Sequence, residues 1–109
     1  MPILECRRVV FFSQGDEAAF FSQLQANKGV RKVEGVGDTL LLHVATSLSD
    51  RSLRELLGAF RRYKVRMDQL AQFSSVRNRD WFENPRAYWF TSVFGRGHGR
   101  KRRTPKDAV

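Results

Sequence analysis

Four residues, Gly35-Val36-Gly37-Asp38, separate two extended runs, Val30–Glu34 and Thr39–Ala45. So short a connection leaves those runs one arrangement, that of antiparallel neighbours in a sheet. Thr39–Ala45 (TLLLHVA) is the stronger strand. Val30–Glu34 is weaker because Arg31 and Lys32 part its valines. The rest of the chain has to be organised around this pair.

Upstream, Arg8–Phe12 (RVVFF) is a β-rich run that can begin as early as Ile3. Ser13 and Asp16 then have capping-box spacing, and Asp16 and Glu17 suit the positive end of a helix. Phe20, Phe21 and Leu24 give that helix an apolar face, and Asn27-Lys28-Gly29 closes it, with Gly29 expected in a left-handed cap. Downstream, Ser49 is an N-cap flanked by Leu48 and Leu53 at staple positions. Leu53, Leu56, Leu57 and Phe60 form a full helical stripe that ends among Arg61, Arg62 and Lys64. Val65–Phe73 (VRMDQLAQF) alternates well enough, with an interruption at Gln69, to be expected as a fourth strand. Two helical stretches follow, Val76–Glu83 and Pro85–Phe94, the second capped by Asn84 and closed by Gly95.

The order is β-α-β-β-α-β with an aromatic-rich helical extension, an α+β class. It resembles the split-βαβ, ferredoxin-like layout over residues 3–73. The resemblance is one of topology and brings no family motif, so it implies a fold and no function. Val9–Phe12 and Leu40–Leu42 are apolar on both faces of their expected strands. Six of thirteen aromatics (Trp81, Phe82, Tyr88, Trp89, Phe90, Phe94) lie together downstream. That segment is therefore expected to cover the second sheet face or to pair with a second copy.

The 109 residues suit one domain, expected over residues 1–95. Residues 96–109 read RGHGRKRRTPKDAV, a composition too polar and too rich in glycine to repay ordering, so a disordered basic tail is expected. No apolar run reaches the roughly 18 residues of a membrane span, and Arg7 and Arg8 interrupt the apolar stretch that a signal peptide needs. The expected location is cytoplasmic. One cysteine, Cys6, rules out a disulfide within the chain.

Chemistry is nearly absent from the pattern. His43 sits mid-strand with no second His or Cys at ligand spacing, and His98 lies in the tail. Cys6 reads as a small half-buried hydrophobe, although Arg8, two residues on, could share its strand face and activate it. Gly35 and Gly37 lie between strands and open no helix, so they make a turn and not a phosphate loop. The carboxylates fall at helix ends and turns. No catalytic residue, metal site, cofactor or small-molecule substrate is expected.

Charge is the remaining signal. Twenty Lys+Arg stand against eleven Asp+Glu, a net charge of +9. Such an excess favours an anionic partner. The expected function is a non-enzymatic binding module for nucleic acid or a ribonucleoprotein. Arg100, Lys101, Arg102 and Arg103 of the tail would contact phosphate, and Arg61, Arg62 and Lys64 would form a second patch. Thr39–Ala45 contains no aromatic residue, so the sheet-face platform of common RNA-binding folds is not expected. The alternative is a protein-interaction or self-associating module anchored by Tyr88 and Trp89, with the tail incidental. A small-ligand sensor built on the Gly35–Asp38 turn ranks last.

Overall fold

The computed structural model describes residues 1–95, and these divide into two compact units, one ending at Arg66 and the other beginning at Met67. The expected basic tail lies outside the described residues. The chain mixes helix and strand.

In the first unit β1 (Ile3–Arg7), α1 (Gln14–Ala26), β2 (Val30–Val36), β3 (Thr39–Val44) and α2 (Asp50–Arg62) follow in order. The strands form one antiparallel sheet in the order β1-β3-β2. Val36 pairs with Thr39 across a two-residue turn in which Gly37 has φ 62°, a conformation that favours glycine at the first position of a hairpin. Opposite Val44 and His43, β2 spends one residue too many, a bulge at the exposed Arg31.

One sheet face is core. Leu4, Cys6, Leu42 and Val44 are buried there, and the register sets Leu4 and Val33 on either side of Leu42. The helices contribute Phe20 and Leu24 from α1 and Leu53, Leu56, Leu57, Ala59 and Phe60 from α2. Each large apolar side chain removed from water stabilises the fold by about 1.5–3 kcal/mol. The other face carries Ile3, Glu5 and Arg7 beside His43, Leu41 and Thr39, with Lys32, Glu34 and Val36 beyond, all exposed or half-buried. Alternation of this kind is what a half-solvated antiparallel sheet needs. Of the two runs expected to be apolar on both faces, Leu40–Leu42 lies within β3, whereas Val9–Phe12 lies after β1 and not within it.

Both helix starts are built as the sequence indicates. Ser13 Oγ accepts from the Asp16 N–H, and Ser49 Oγ accepts from the Ser52 N–H, each at 3.1 Å. The end of α1 differs from expectation. Gly29 is not left-handed, and Asn27 closes the helix instead. Buried Asn27 donates from Nδ2 to the Ser52 carbonyl (2.9 Å) and accepts the Gly29 N–H on Oδ1 (2.9 Å). Glycine is needed at 29 for space, since a Cβ there would lie 2.3 Å from Leu48 Cδ2. At the end of α2, Lys64 takes the left-handed position (φ 58°), and the Val65 N–H returns to the Phe60 carbonyl at 2.9 Å. This is a Schellman closure with lysine where glycine is usual.

The second unit corrects the fourth strand. Met67–Phe73 is a 3₁₀ helix, and the βαββαβ order is not completed. Met67, Leu70 and Phe73, three apart, are all buried, and that spacing matches three residues per turn. Buried Asn78 organises the next turn: Nδ2 donates to the Phe73 carbonyl and Oδ1 accepts the Ser75 N–H, both at 2.8 Å. Two short helices follow, α3 (Arg79–Phe82) and α4 (Phe90–Phe94). The helix expected from Pro85 begins only at Phe90. Asn84 Oδ1 accepts the Arg86 N–H at 3.0 Å as a cap would, but the Asn84 carbonyl accepts the Ala87 N–H three residues on, and the chain makes a turn before the helix. The aromatics pack on one another: Trp81 meets Trp89 edge-on at 5.8 Å, and Phe82 meets Phe94 at 5.0 Å.

Candidate functional site

The segment between β1 and α1 turns apolar sequence outward. Arg8 leaves the strand in a left-handed conformation (φ 50°), which a β-rich run does not anticipate. Its N–H donates to the Asp38 carbonyl (3.1 Å) and its Nε to Asp38 Oδ2 (3.0 Å), so the loop is tied to the β2–β3 turn. Hydrogen bonds from Arg8 and from Thr39 hold the Asp38 carboxyl below its ordinary value. Further along, Phe11 packs against Phe20 (5.5 Å) and Tyr63 (5.9 Å). The Phe12 N–H donates to Asp16 Oδ2 at 3.2 Å. The capping acid therefore reaches one residue beyond the N-cap. Val10 and Phe12 remain outside, 66% and 92% exposed.

Two clefts meet at Arg7. One, of about 300 Å³, is lined by Arg7, Arg8 and Asp38. The other, of about 310 Å³, is lined by Glu5, Arg7, Lys64 and Arg66. Arg7 approaches Glu5 on its own strand at 3.6 Å, an exposed pair of little energetic weight. Four cations and two carboxylates thus line the clefts. Among the described residues the two non-glycine positions with positive φ, Arg8 and Lys64, both belong to this set of cations.

Lys64 is the residue expected from the sequence that enters this site. Arg61 and Arg62 are exposed on the last turn of α2 and line neither cleft. Arg100, Lys101, Arg102 and Arg103 lie outside the described residues. Tyr88 is 51% exposed, whereas Trp89 is buried with its indole N–H donated to the Phe82 carbonyl at 2.7 Å. Only Tyr88 of that pair is presented at the surface. Arg7, Arg8, Arg66 and Phe12 escaped the sequence reading. The signal available for Arg7 and Arg8 was their position as a pair inside an apolar run.

The remaining candidates are quiet. Cys6 is buried, and burial pushes its thiol up to about 12; Arg8, having left the strand, does not share its face. His43 Nε2 lies 3.1 Å from Glu34 Oε1 on the half-solvated sheet face. That hydrogen bond, with Lys32 nearby, holds the Glu34 carboxyl below its ordinary value. Among the described residues no group of His, Cys, Asp and Glu is placed to hold a metal ion, and no helix is long and apolar enough to cross a membrane. No protein-family model matches the chain, and no curated protein and no solved structure matches it.

Proposed function

We propose that this chain is a non-enzymatic binding module for the phosphate backbone of nucleic acid. The observation that carries the reading is the convergence of Arg7, Arg8, Lys64 and Arg66 on two adjoining clefts. Guanidinium groups suit phosphate oxygens, which they can bond in pairs, and lysine adds a point charge. Two of the four cations occupy backbone conformations that cost a non-glycine residue roughly 1–3 kcal/mol each, and such positions concentrate at functional sites. The basic residues of the tail would extend the contact.

The test is binding of the full chain to oligonucleotide across a salt series. Contact with four or more phosphates predicts a slope of about −3 or steeper in log K against log salt. Arg7→Gln combined with Arg66→Gln should flatten that slope by about 1–2. Absence of binding at low salt, or an unchanged slope in the double variant, removes the reading.

A further inference from the structure

We propose that the segment from Arg7 to Phe12 selects single-stranded nucleic acid, with Phe12 stacking on a base while Arg7, Lys64 and Arg66 hold a backbone phosphate.

The exposure of Phe12 is constructed. Arg8 fastens the start of the loop to Asp38 through main chain and side chain. Phe11 fixes the middle between Phe20 and Tyr63, which are themselves 4.7 Å apart. The end is held by the Phe12 N–H on Asp16 and by the Ser13 cap of α1. The loop is thus tied on both sides of Phe12, and its ring is left in water with both faces open. Because the backbone that carries the ring is already ordered, stacking does not have to order it, which is the economy that preorganised binding surfaces exploit. Base stacking on such a ring is tolerant of sequence and is the usual companion of a basic groove in single-strand binders.

The position fits as well. Four residues span at most about 14 Å of extended chain, so Phe12 lies within a few nucleotides of Arg8 and of the clefts that begin at Arg7. A duplex keeps its bases stacked inside and offers Phe12 nothing, so cations alone would serve it. An anionic membrane would use Phe12 and Val10 as a wedge. The clefts argue for the nucleic acid, because the cations line two recesses of about 300 and 310 Å³, each wide enough for a phosphate, and not a flat charged surface.

The inference rests on the backbone-binding reading above, and the test separates the two. Anisotropy is measured with the full chain and three labelled probes: a single-stranded oligopyrimidine, the same strand with abasic sites, and a duplex. The expected order is single strand tighter than abasic strand by about tenfold. Phe12→Ala should reduce the first affinity to the second and leave the duplex unchanged, and Phe12→Trp should retain it. Because the ring is exposed, both variants should melt as the wild type does. Arg7→Gln with Arg66→Gln should weaken all three complexes. If intact and abasic strands bind alike, or Phe12→Ala costs nothing, stacking is overturned while the phosphate reading stands. If no oligonucleotide binds, both fall. Phe12-dependent binding to phosphatidylserine vesicles without oligonucleotide binding would assign the loop to a membrane and overturn the proposal.

Discussion

Asn27 and Ser52 lie 25 residues apart in the chain and are joined by a buried hydrogen bond of 2.9 Å, from the asparagine Nδ2 to the serine carbonyl. The same amide accepts the Gly29 N–H, so one side chain ends α1 and fixes the first turn of α2. Asn27→Leu keeps much of the volume, leaves the Gly29 N–H buried without its partner and leaves the Ser52 carbonyl only its place in the α2 ladder. A loss of about 1–3 kcal/mol is expected, to be read from the midpoint of urea unfolding. Retention of wild-type stability would mean that the amide is dispensable.

Gly29 is tested separately. Its φ is ordinary, so alanine meets no conformational penalty there, but it meets Leu48 at 2.3 Å, Asn27 Oδ1 at 3.2 Å and Ser52 Cβ at 3.4 Å. The leucine methyl can swing aside and the asparagine cannot. Gly29→Ala should cost roughly 1–3 kcal/mol in the same measurement. In an Asn27→Ala background that cost should shrink, because the rigid neighbour is gone.

Lys64 opposes stability to charge. Relief of the left-handed position gains about 1–2 kcal/mol, and the added freedom of glycine in the unfolded chain returns about 0.4–1. Lys64→Gly should therefore raise the melting temperature while weakening oligonucleotide binding severalfold. Lys64→Ala removes the same charge with no relief, so it should weaken binding without stabilising. Equal melting temperatures for the two variants would show that the backbone at 64 is not under strain.

Acid should loosen the loop that Arg8 ties to Asp38. The Asp38 carboxyl is held below its ordinary value, first by the hydrogen bond from Arg8 and then by that from Thr39. A depressed carboxylate contributes stability that is present above its unfolded value and lost as pH falls through the folded one. Glu34 behaves the same way through His43 and Lys32. The stability difference between wild type and Asp38→Asn should thus be largest near neutral pH and close on acidification through the carboxylate range. A difference that does not change with pH would disconnect Asp38 from the loop.

Cys6 should report on opening of the sheet. With its thiol pushed up to about 12, only about one molecule in ten thousand carries thiolate at pH 8, and the side chain is closed to reagent. Thiol labelling should proceed through unfolding and accelerate with denaturant in step with it. Rapid labelling of the native protein would show that β1 frays on its own.

The sequence was most legible where one short-range rule applied without a rival. The Ser13 and Ser49 caps and the stripe from Leu53 to Phe60 depend on neighbours a few residues away, and all are present; the turn expected over Gly35–Asp38 is there too, narrowed to Gly37-Asp38 because β2 runs on to Val36. It was misleading where two periods fitted one segment. Val65, Met67, Ala71 and Phe73 alternate as a strand would, but Met67, Leu70 and Phe73 repeat by threes, and the tighter helix buries all three. Asn84-Pro85 likewise fits either a helix start or a turn, since the Asn84–Arg86 bond serves both, and the Ala87 N–H on the Asn84 carbonyl marks the turn. The candidate site was the least legible part. Arg8–Phe12 has the composition of a strand, and nothing local announces that Arg8 will turn left-handed to meet Asp38, thirty residues away. Of the cations that line the clefts, only Lys64 stood out in the sequence as part of a basic patch.

Arg7 comes from the first strand and Lys64 from the residues that close the last helix of the same unit, so nearly the whole unit lies between two side chains that line one cleft. An anion held by both would act as a removable clasp across that loop. Like any ligand absent from the unfolded chain, it would add to stability in proportion to the logarithm of its concentration once the site fills. With its lone thiol buried in the sheet, the protein has no covalent staple of its own, and its resistance to heat would follow its occupancy.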